Sequence, residues 1–471
     1  MHAVPPASLA PATRMNRRAT GERTLQLVVV SAALIIAIVS ARSYAGSWND
    51  GSRLATVESL VDRHTFAIDD SIFVQVPRRD DPSAPAPYSP DDPLLLQYGT
   101  GDKLRIDGHF YSDKSPVPAV FMAGLYQVLQ WGTGLTARQQ PARFCYWLTL
   151  ASSGLPYVVA VWCIFQLGSP LQLPLSLRVL LTASFGLATV ALPYVRQVNS
   201  HIQLLAVAAA LSLALARLAA DTRGGRRPWF QLLALGALAG AGYAIDIGVG
   251  PVLLVGTLGV VLYRCRSLTA AGVVLLAAAP WVVFHHALNY VVGGTLLPVN
   301  TTLEYFRRPA SSLLTSTWKH TLPDFLLYAT KLLLGGRGFL NHNLPLFLAL
   351  IGFTRLLRRG AAELPEIVFA GACCGATWLI YALTTNNYSG ACASIRWFVP
   401  LLAPSYFVLA VFLREQPAYR PDFLILTGWG MAVAGLTWWK GPWHPDTGPY
   451  FWWLQAGALL SWFAYRESQA S

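Results

Sequence analysis

Long apolar runs separated by short polar segments make up most of the chain. An α-helix needs about 20 apolar residues to cross the hydrocarbon core of a bilayer. About twelve runs of this or nearly this length follow one another: 25–43, 143–168, 174–194, 201–219, 229–246, 249–264, 268–290, 343–357, 365–385, 397–413, 421–438 and 451–465. The pattern predicts an all-α polytopic membrane protein with about twelve transmembrane helices.

Two polar segments between the runs are too long to be simple connectors. The first is 44–141 and the second is 291–342. Within the first, apolar residues recur at helical spacing among charged positions in 54–61, which predicts an amphipathic helix in the membrane interface. Residues 117–131 predict a second interfacial helix, which a short extended stretch precedes. Residues 77–93 form a loop rich in Pro and Asp.

Composition and charge support this interpretation. The chain has 471 residues, of which 54% are hydrophobic and 12% are charged, whereas soluble proteins carry about 25% charged residues. The net charge of +12 is concentrated in short clusters between the runs, as in cytoplasmic loops of membrane proteins. With the N-terminus in the cytoplasm, four basic connections fall on the cytoplasmic side: 221–228, 264–266, 355–359 and 414–420. This distribution of positive charge does not suggest a nucleic-acid partner.

The predicted organisation is a disordered cytoplasmic tail at 1–24 and a single transmembrane domain at 25–470. The first apolar run could also be the core of a signal peptide. We favour a retained span, because the segment after it makes sense only if it is held at the membrane. Both termini are then cytoplasmic. Short loops without an appended soluble domain suggest a bacterial inner membrane protein whose two long segments face the periplasm.

Asp50 is the first candidate for chemistry, because it lies between the first apolar run and the predicted interfacial helix. A carboxylate at the membrane surface can accept a proton from a hydroxyl or an amine. The alternative is structural: Asp favours the N-cap position, and a helix could begin near Ser52. This residue alone does not decide between the two.

The segment YSDKSP places Asp113 and Lys114 directly before the second predicted helix. A lysine ammonium suits a phosphate group. Asp113 could bind a divalent cation or orient Lys114. The alternative is a solvated Asp–Lys pair of little energetic consequence.

Other polar residues flank apolar runs on the predicted external side. Arg196 and His201 lie between two runs, and Arg396 precedes another, where it could meet a phosphate or act as a snorkelling anchor. Arg337 lies in a glycine-rich loop that could let the backbone approach a ligand. Asp246 is either a loop residue or a functional acid within the membrane, and both interpretations stay open.

Taken in order, these motifs resemble the C-type integral-membrane glycosyltransferases, and among them the protein O-mannosyltransferases and the bacterial aminoarabinose–lipid A transferases. The family's first external loop typically reads Asp-Glu, Arg-Tyr-Ala and Tyr-x-x-Lys-Pro-Pro. Its later motifs are Arg-x-x-x-x-Asp and Arg-Tyr-x-x-Pro. The matching positions here are Asp50-Gly51, Arg53-Leu54-Ala55, Tyr111-Ser112-Asp113-Lys114-Ser115-Pro116, Arg196 to His201, and Arg396-Trp397-Phe398-Val399-Pro400.

Three positions depart from the family pattern. Gly51 replaces the second acidic residue, Ser115 replaces the first Pro, and His201 replaces the later Asp. The change at Gly51 bears on acceptor recognition of the protein-mannosyltransferase type. The change at His201 bears on assistance by a second carboxylate.

The resemblance implies a glycosyltransferase that uses a polyprenyl-phosphate-linked sugar and works at the external face by inverting single displacement. Asp50 would be the catalytic base. The implied donor-phosphate ligands are Lys114, Arg396 and Arg196, and the possible supporting residues are Arg53, His109, Tyr111, His201 and Arg337. Some family members use a divalent metal cation, for which Asp113 is the candidate ligand. The acceptor would be a glycan, a lipid or a protein, and membrane lipid surrounds the chain.

Two other classes remain open from the sequence. A polytopic transporter or lipid flippase fits the number of spans, and Asp246 is the main residue in its favour. Against this class, transporters usually keep more ionisable residues within their spans. A catalytically inactive relative would be consistent with Gly51 and His201.

Overall fold

The computed structural model describes residues 10–76, 86–226, 228–305, 321–444 and 448–470, and helices make up most of them. The elements in chain order are α1 (Ala10–Ser40), α2 (Trp48–Asp62), α3 (Pro93–Tyr98), β1 (Lys103–Ile106), β2 (His109–Ser112), α4 (Pro116–Thr133), α5 (Pro141–Thr149), α6 (Leu155–Gln166), α7 (Leu175–Leu187), α8 (Ala191–Tyr194), α9 (Ser200–Arg223), α10 (Trp229–Ile245), α11 (Gly250–Cys265), α12 (Leu268–Gly293), α13 (Leu322–Leu334), α14 (Leu346–Arg359), α15 (Leu364–Thr384), α16 (Leu402–Glu415), α17 (Arg420–Lys440) and α18 (Pro449–Ala470).

Every predicted apolar run lies on helical segments of the structure. Among the described residues, six helical segments are long and apolar enough to cross a membrane: Gly21–Ser40, Pro141–Gln166, Ser200–Arg223, Leu268–Gly293, Leu364–Thr384 and Arg396–Glu415. The helices α7, α10 and α11 are shorter and also apolar. The predicted helical character is confirmed, and the number of about twelve spans stays a prediction.

The N-terminal part differs from the expected disordered tail at 1–24. Helix α1 begins at Ala10, so that residues 10–24 continue the first apolar helix. Residues 1–9 lie outside the described residues, as do residues 77–85 of the predicted Pro/Asp loop and residues 306–320 of the second long segment.

Helix α9 lies at the centre of the helix bundle, where it packs against α6, α10, α11 and α16. It is rich in Ala and Leu, and small side chains let neighbouring helices approach closely. The same principle joins α10 to α12. A Cβ atom at Gly236 or Gly240 would lie 2.3 Å or 2.7 Å from backbone carbonyl oxygens of α12, so only glycine permits this spacing.

The first long segment builds a second apolar core outside the bundle, around α2, α4 and α5. Helix α2 was predicted to lie amphipathically in the interface, but it is buried on nearly all sides. Burial of its polar face is possible because that face finds partners. Glu58 accepts hydrogen bonds from Ser71 Oγ and from the backbone N–H of Ile72, and it pairs with Arg63.

The predicted extended stretch is an antiparallel hairpin, so the fold class of all-α requires this correction. Strands β1 and β2 pair in a register that places Lys103 opposite Ser112. Asp107 and Gly108 form the connection, both with positive φ (48° and 91°). Asp-Gly is a strong signal for a tight two-residue hairpin turn, because both central residues need that conformation.

A π-helical turn, Leu150–Gly154, joins α5 and α6 into one continuous segment. Ser153 lies in this turn. Its hydroxyl donates to the carbonyl of Gln197 (2.6 Å) and accepts from the N–H of Asn199 (3.3 Å). The irregular turn therefore holds the connection that leads into α9.

Ion pairs gather where the predicted cytoplasmic connections meet. Glu363 accepts from Arg414 (2.8 Å) and Arg223 (3.4 Å), and Arg264 pairs with Glu366. These connections therefore lie together at one end of the helix bundle. Arg53 and His201 lie at the opposite end, where α9 begins.

Candidate active site

Asp50 lies in the first turn of α2. The helix begins at Trp48, and Ser47 is its N-cap. The Ser47 hydroxyl accepts from the Asp50 N–H (3.3 Å) and donates to Asp50 Oδ1 (2.7 Å). This reciprocal arrangement is a form of capping box. The alternative in which Asp50 caps a helix starting near Ser52 is therefore wrong.

The carboxylate of Asp50 is completely buried, with 0% of the residue exposed. Its Oδ2 atom accepts from the Gly46 N–H (2.9 Å) and from Trp443 Nε1 (3.2 Å). Burial raises the pKa of Asp50 to about 7, against the lowering effects of Ser47, Gly46, Trp443 and the Arg396 charge. A carboxyl group with this pKa exchanges its proton near neutral pH, as a general base requires.

Lys114 is held between two carboxylates. Its Nζ atom lies 2.8 Å from Asp102 Oδ2 and 2.8 Å from Asp113 Oδ2. The hairpin explains this contact, because pairing of Lys103 with Ser112 brings the preceding Asp102 beside the following Asp113. Burial opposes ionisation of Asp102, but Lys114 outweighs it and lowers the pKa of Asp102. Burial and the competing Asp102 charge raise the pKa of Asp113.

Arg53 connects the first long segment to the bundle. Its Nε donates to Asn49 Oδ1 (3.3 Å), and its Nη2 donates to the hydroxyl of Ser200 (2.9 Å), the first residue of α9. Burial lowers the pKa of Arg53 to about 10, and the charges of Asp113, Asp246 and Asp50 act in the opposite direction. Arg53 therefore remains a cation surrounded by carboxylates.

His201, the residue after Ser200, faces Asp246. The two side chains approach to 3.9 Å between Nδ1 and Oδ2. Asp246 lies in the turn between α10 and α11, where its Oδ1 accepts from the N–H groups of Gly248 (2.8 Å) and Val249 (3.2 Å). Burial raises the pKa of Asp246, against the effects of these N–H groups and of Arg53. The chain thus carries an acid beside the position where His201 replaces the family's Asp.

Arg396 completes the site from the C-terminal part of the chain. It begins a short 3₁₀ turn before α16, and its backbone N–H donates to Ser389 Oγ (3.1 Å). Its charge lowers the pKa of Asp50, Asp102 and Asp246, so it lies within electrostatic range of all three. We refer to the following residues as the charged cluster: Asp50, Arg53, Asp102, Asp113, Lys114, His201, Asp246 and Arg396.

Four predicted site residues lie outside the charged cluster: Arg196, His109, Arg337 and Tyr111. Arg196 donates to the carbonyl of Trp439 (3.3 Å), with its guanidinium over the ring of Trp438. His109 has a side chain that is 65% exposed and lies 3.3 Å from Asp69. Arg337 is partly exposed and donates to the carbonyl of Gly390 (3.1 Å).

A small cleft that is open to solvent lies beside the charged cluster. Arg53 and Lys114 line its polar side, while Pro116, Val292 and Val299 contribute apolar surface. Tyr111, another predicted supporting residue, also lines it. The cleft therefore combines a cationic and an apolar lining.

The structure also accounts for two departures from the family pattern. A Cβ atom at Gly51 would lie 2.2 Å from the hydroxyl of Tyr88, so that no acidic side chain fits there. This hydroxyl donates to the carbonyl of Phe73 (2.7 Å). Ser115 donates to the carbonyl of Ala244 (2.7 Å), which attaches the start of α4 to the end of α10.

The predicted metal ligand Asp113 lies in a set of residues that suits an ammonium group better than a metal ion. Both Asp113 Oδ2 and Asp102 Oδ2 already contact Lys114, and Asp113 Oδ1 is buried without a hydrogen-bond partner. Within the described ranges, no group of three His, Cys, Asp or Glu side chains could hold a metal ion. Asp113 therefore contacts Lys114 in this structure, and its role as a metal ligand stays a prediction.

No family model matches the chain, and no curated protein sequence matches it. Solved structures do. Two are of ArnT from Cupriavidus metallidurans: the undecaprenyl phosphate complex has a TM-score of 0.49 and 14% identity over 92% of this chain and 75% of ArnT. The apo form has a TM-score of 0.48 and 15% identity over 94% and 76%.

A third similar structure is the apo oligosaccharyltransferase from Archaeoglobus fulgidus, with a TM-score of 0.45 and 12% identity over 92% of this chain and 56% of that protein. ArnT and the oligosaccharyltransferase are C-type glycosyltransferases, the group that the sequence motifs resemble.

Proposed function

We propose that this protein is an integral-membrane glycosyltransferase that moves a sugar from a polyprenyl-phosphate donor to an acceptor. The observation that carries the proposal is the charged cluster itself. It combines a buried carboxylate, Asp50, whose pKa is about 7 with the cations Arg53, Lys114 and Arg396. These residues come from distant parts of the chain, and two of them, Arg53 and Lys114, also line the cleft beside the cluster.

In the proposed reaction, Asp50 accepts the proton of the acceptor hydroxyl or amine. The acceptor atom then bonds to the anomeric carbon, while the bond from that carbon to the phosphate oxygen breaks. The electron pair of the broken bond stays on the lipid phosphate. Attack and departure occur on opposite faces of the sugar, so the anomeric configuration inverts.

The cations of the cluster act on the leaving group. Negative charge grows on the phosphate as the bond breaks, and a cation already fixed at that point stabilises the transition state without rearranging. Asp102 and Asp113 fix Lys114 in this way, and Arg396 would bind the phosphate from the other side. Arg53 supports the arrangement through Ser200.

The proposal also includes the cellular setting. The donor lies in the bacterial inner membrane, its apolar chain among the helices and its phosphate at the periplasmic face. The acceptor is a glycan, a lipid or a protein of the cell envelope. No step of the proposed mechanism requires a metal ion.

The test is donor turnover by purified protein in nanodiscs. The protein is incubated with a panel of polyprenyl-phosphate sugars and cell-envelope extract, and release of free polyprenyl phosphate is followed. We expect release by the wild type and loss of release in Asp50→Asn. Asp70→Asn is the matched control, because Asp70 is an exposed carboxylate in the same external segment. No release from any donor would support a transporter or an inactive relative instead.

A further inference from the structure

Trp443 lies between the two ends of the proposed reaction. It belongs to the connection between α17 and α18, far in sequence from the first long segment. Its indole N–H donates to Asp50 Oδ2 (3.2 Å). The centroid of its ring lies 5.6 Å from the guanidinium carbon of Arg396, a distance at which a cation is attracted to an aromatic face.

The position of Trp443 is itself fixed from several sides. Its ring meets the ring of Tyr194 edge to face at 5.8 Å. The carbonyl of the preceding Pro442 accepts from the N–H of Ala393 (2.9 Å), which ties this connection to the segment before Arg396. Gly46 lies so close that a Cβ atom there would be 3.0 Å from the Trp443 ring. The indole therefore has little freedom to turn away from Asp50.

We propose that Trp443 is a positioning residue that holds the Asp50 carboxylate with its N–H and the Arg396 guanidinium with its ring. The catalytic role of Trp443 in this inference rests on the proposed function. Its contacts with Asp50 and Arg396 do not depend on that function. One side chain would thus set the spacing between the base that takes the acceptor proton and the cation that faces the leaving phosphate.

Two substitutions separate the two contacts. Trp443→Phe keeps an aromatic ring below Arg396 but loses the N–H that favours the charged carboxylate. We expect the acid side of the pH–rate profile to move to higher pH by about one unit, since a hydrogen bond to a charged group has roughly that effect on its pKa. The donor KM should stay near the wild-type value. Trp443→Leu removes both contacts and should also raise the donor KM.

The matched control is Trp438→Phe. Trp438 also donates its indole N–H (2.9 Å, to Ser40 Oγ) and also packs against an arginine, Arg196, but both partners lie outside the charged cluster. We expect this variant to keep the wild-type pH profile and donor KM. A shift as large as that of Trp443→Phe would indicate a general effect of losing an indole and would overturn the proposal.

An infrared titration tests the Asp50 contact without any turnover. The protonated carboxyl band of Asp50 is identified as the band missing in Asp50→Asn, and its midpoint is compared between wild type and Trp443→Phe. A higher midpoint pH in Trp443→Phe supports the contact even if no donor is turned over. In that case the proposed function is wrong, but the inference about the contact stands. An unchanged midpoint, in a variant that unfolds at the wild-type temperature, overturns the positioning role.

Discussion

Arg53 Nη2 donates to the hydroxyl of Ser200 across 2.9 Å, and this bond joins α2 to the first residue of α9. Ser200 precedes His201, so the bond fixes the first long segment against the helix that carries another member of the charged cluster. The cluster is thus shared between the helix bundle and the first long segment. Substitutions in either part should therefore affect the cluster.

The rate of sugar transfer should rise with pH through a midpoint near 7. Burial raises the pKa of Asp50 to about 7, and only the deprotonated carboxylate can accept a proton, so activity is lost as the pH falls through this value. The measurement is kcat/KM for the donor across neutral pH. Asp50→Asn should lower it by about 10²–10⁴-fold above pH 7, and the difference should shrink as the pH falls below that value. A wild-type profile that is level through pH 7 would contradict the assignment.

Lys114→Met should raise the donor KM and destabilise the fold by about 1–3 kcal/mol, because Asp102 and Asp113 lose their shared partner. Adding Asp102→Asn and Asp113→Asn should recover most of the stability but not the donor affinity. Unfolding temperatures and donor titrations measure the two effects. Lys331→Met is the control, since Lys331 is exposed on α13. Recovery of donor affinity in the triple variant would show that Lys114 serves only the fold.

Gly51→Ala should destabilise the protein by about 1–3 kcal/mol, because its Cβ atom would lie 2.2 Å from the Tyr88 hydroxyl. Adding Tyr88→Phe removes that oxygen, so the double variant should lose less stability than the two single losses added together. The comparison is Gly124→Ala in α4. No atom lies within 4 Å of its added Cβ, and Ala favours a helix by up to about 1 kcal/mol. Chemical or thermal unfolding reports all four variants.

Chelation of divalent cations should leave donor turnover unchanged. The point that Asp102 and Asp113 both face is filled by the Lys114 ammonium. Turnover is measured before and after dialysis against a chelator, and again after addition of Mg²⁺, Mn²⁺ or Zn²⁺. Loss of turnover that a metal restores would assign a metal ligand role to Asp113, as the sequence first suggested.

The helices could be predicted from the sequence because hydrophobic runs of membrane length have few other solutions. Asp107-Gly108 is also typical of a hairpin turn, but the sequence analysis predicted only a short extended stretch there and no strand pairing. The full burial of α2 was not predictable from its periodicity. In the sequence, its charged face resembles a surface that faces solvent. In the structure, Ser71 and Ile72 donate hydrogen bonds to Glu58 and allow that face to be buried.

Residues of the charged cluster could be predicted where the motifs are local, and their roles stay predictions. Asp50 and Lys114 were named from sequence, and both lie in the charged cluster. Asp102 and Trp443 were missed, because their importance comes only from the hairpin register and from a connection nearly four hundred residues beyond Asp50. Arg196 lies outside the charged cluster, and its motif position does not reveal that its guanidinium lies over the ring of Trp438. Its role in donor binding stays a prediction.

The π-helical turn at Leu150–Gly154 makes the packing of this helix depend on the number of residues in the turn. A π turn contains one residue more than the α turn it replaces, so deleting a single residue there would restore a regular helix. Such a deletion would also rotate all of α5 relative to α6 and move Ser153 away from Gln197 and Asn199. Insertions and deletions should therefore be tolerated better in the loops than in this helix. The number of residues in its π turn sets the contacts of Ser153 with the connection that leads into α9.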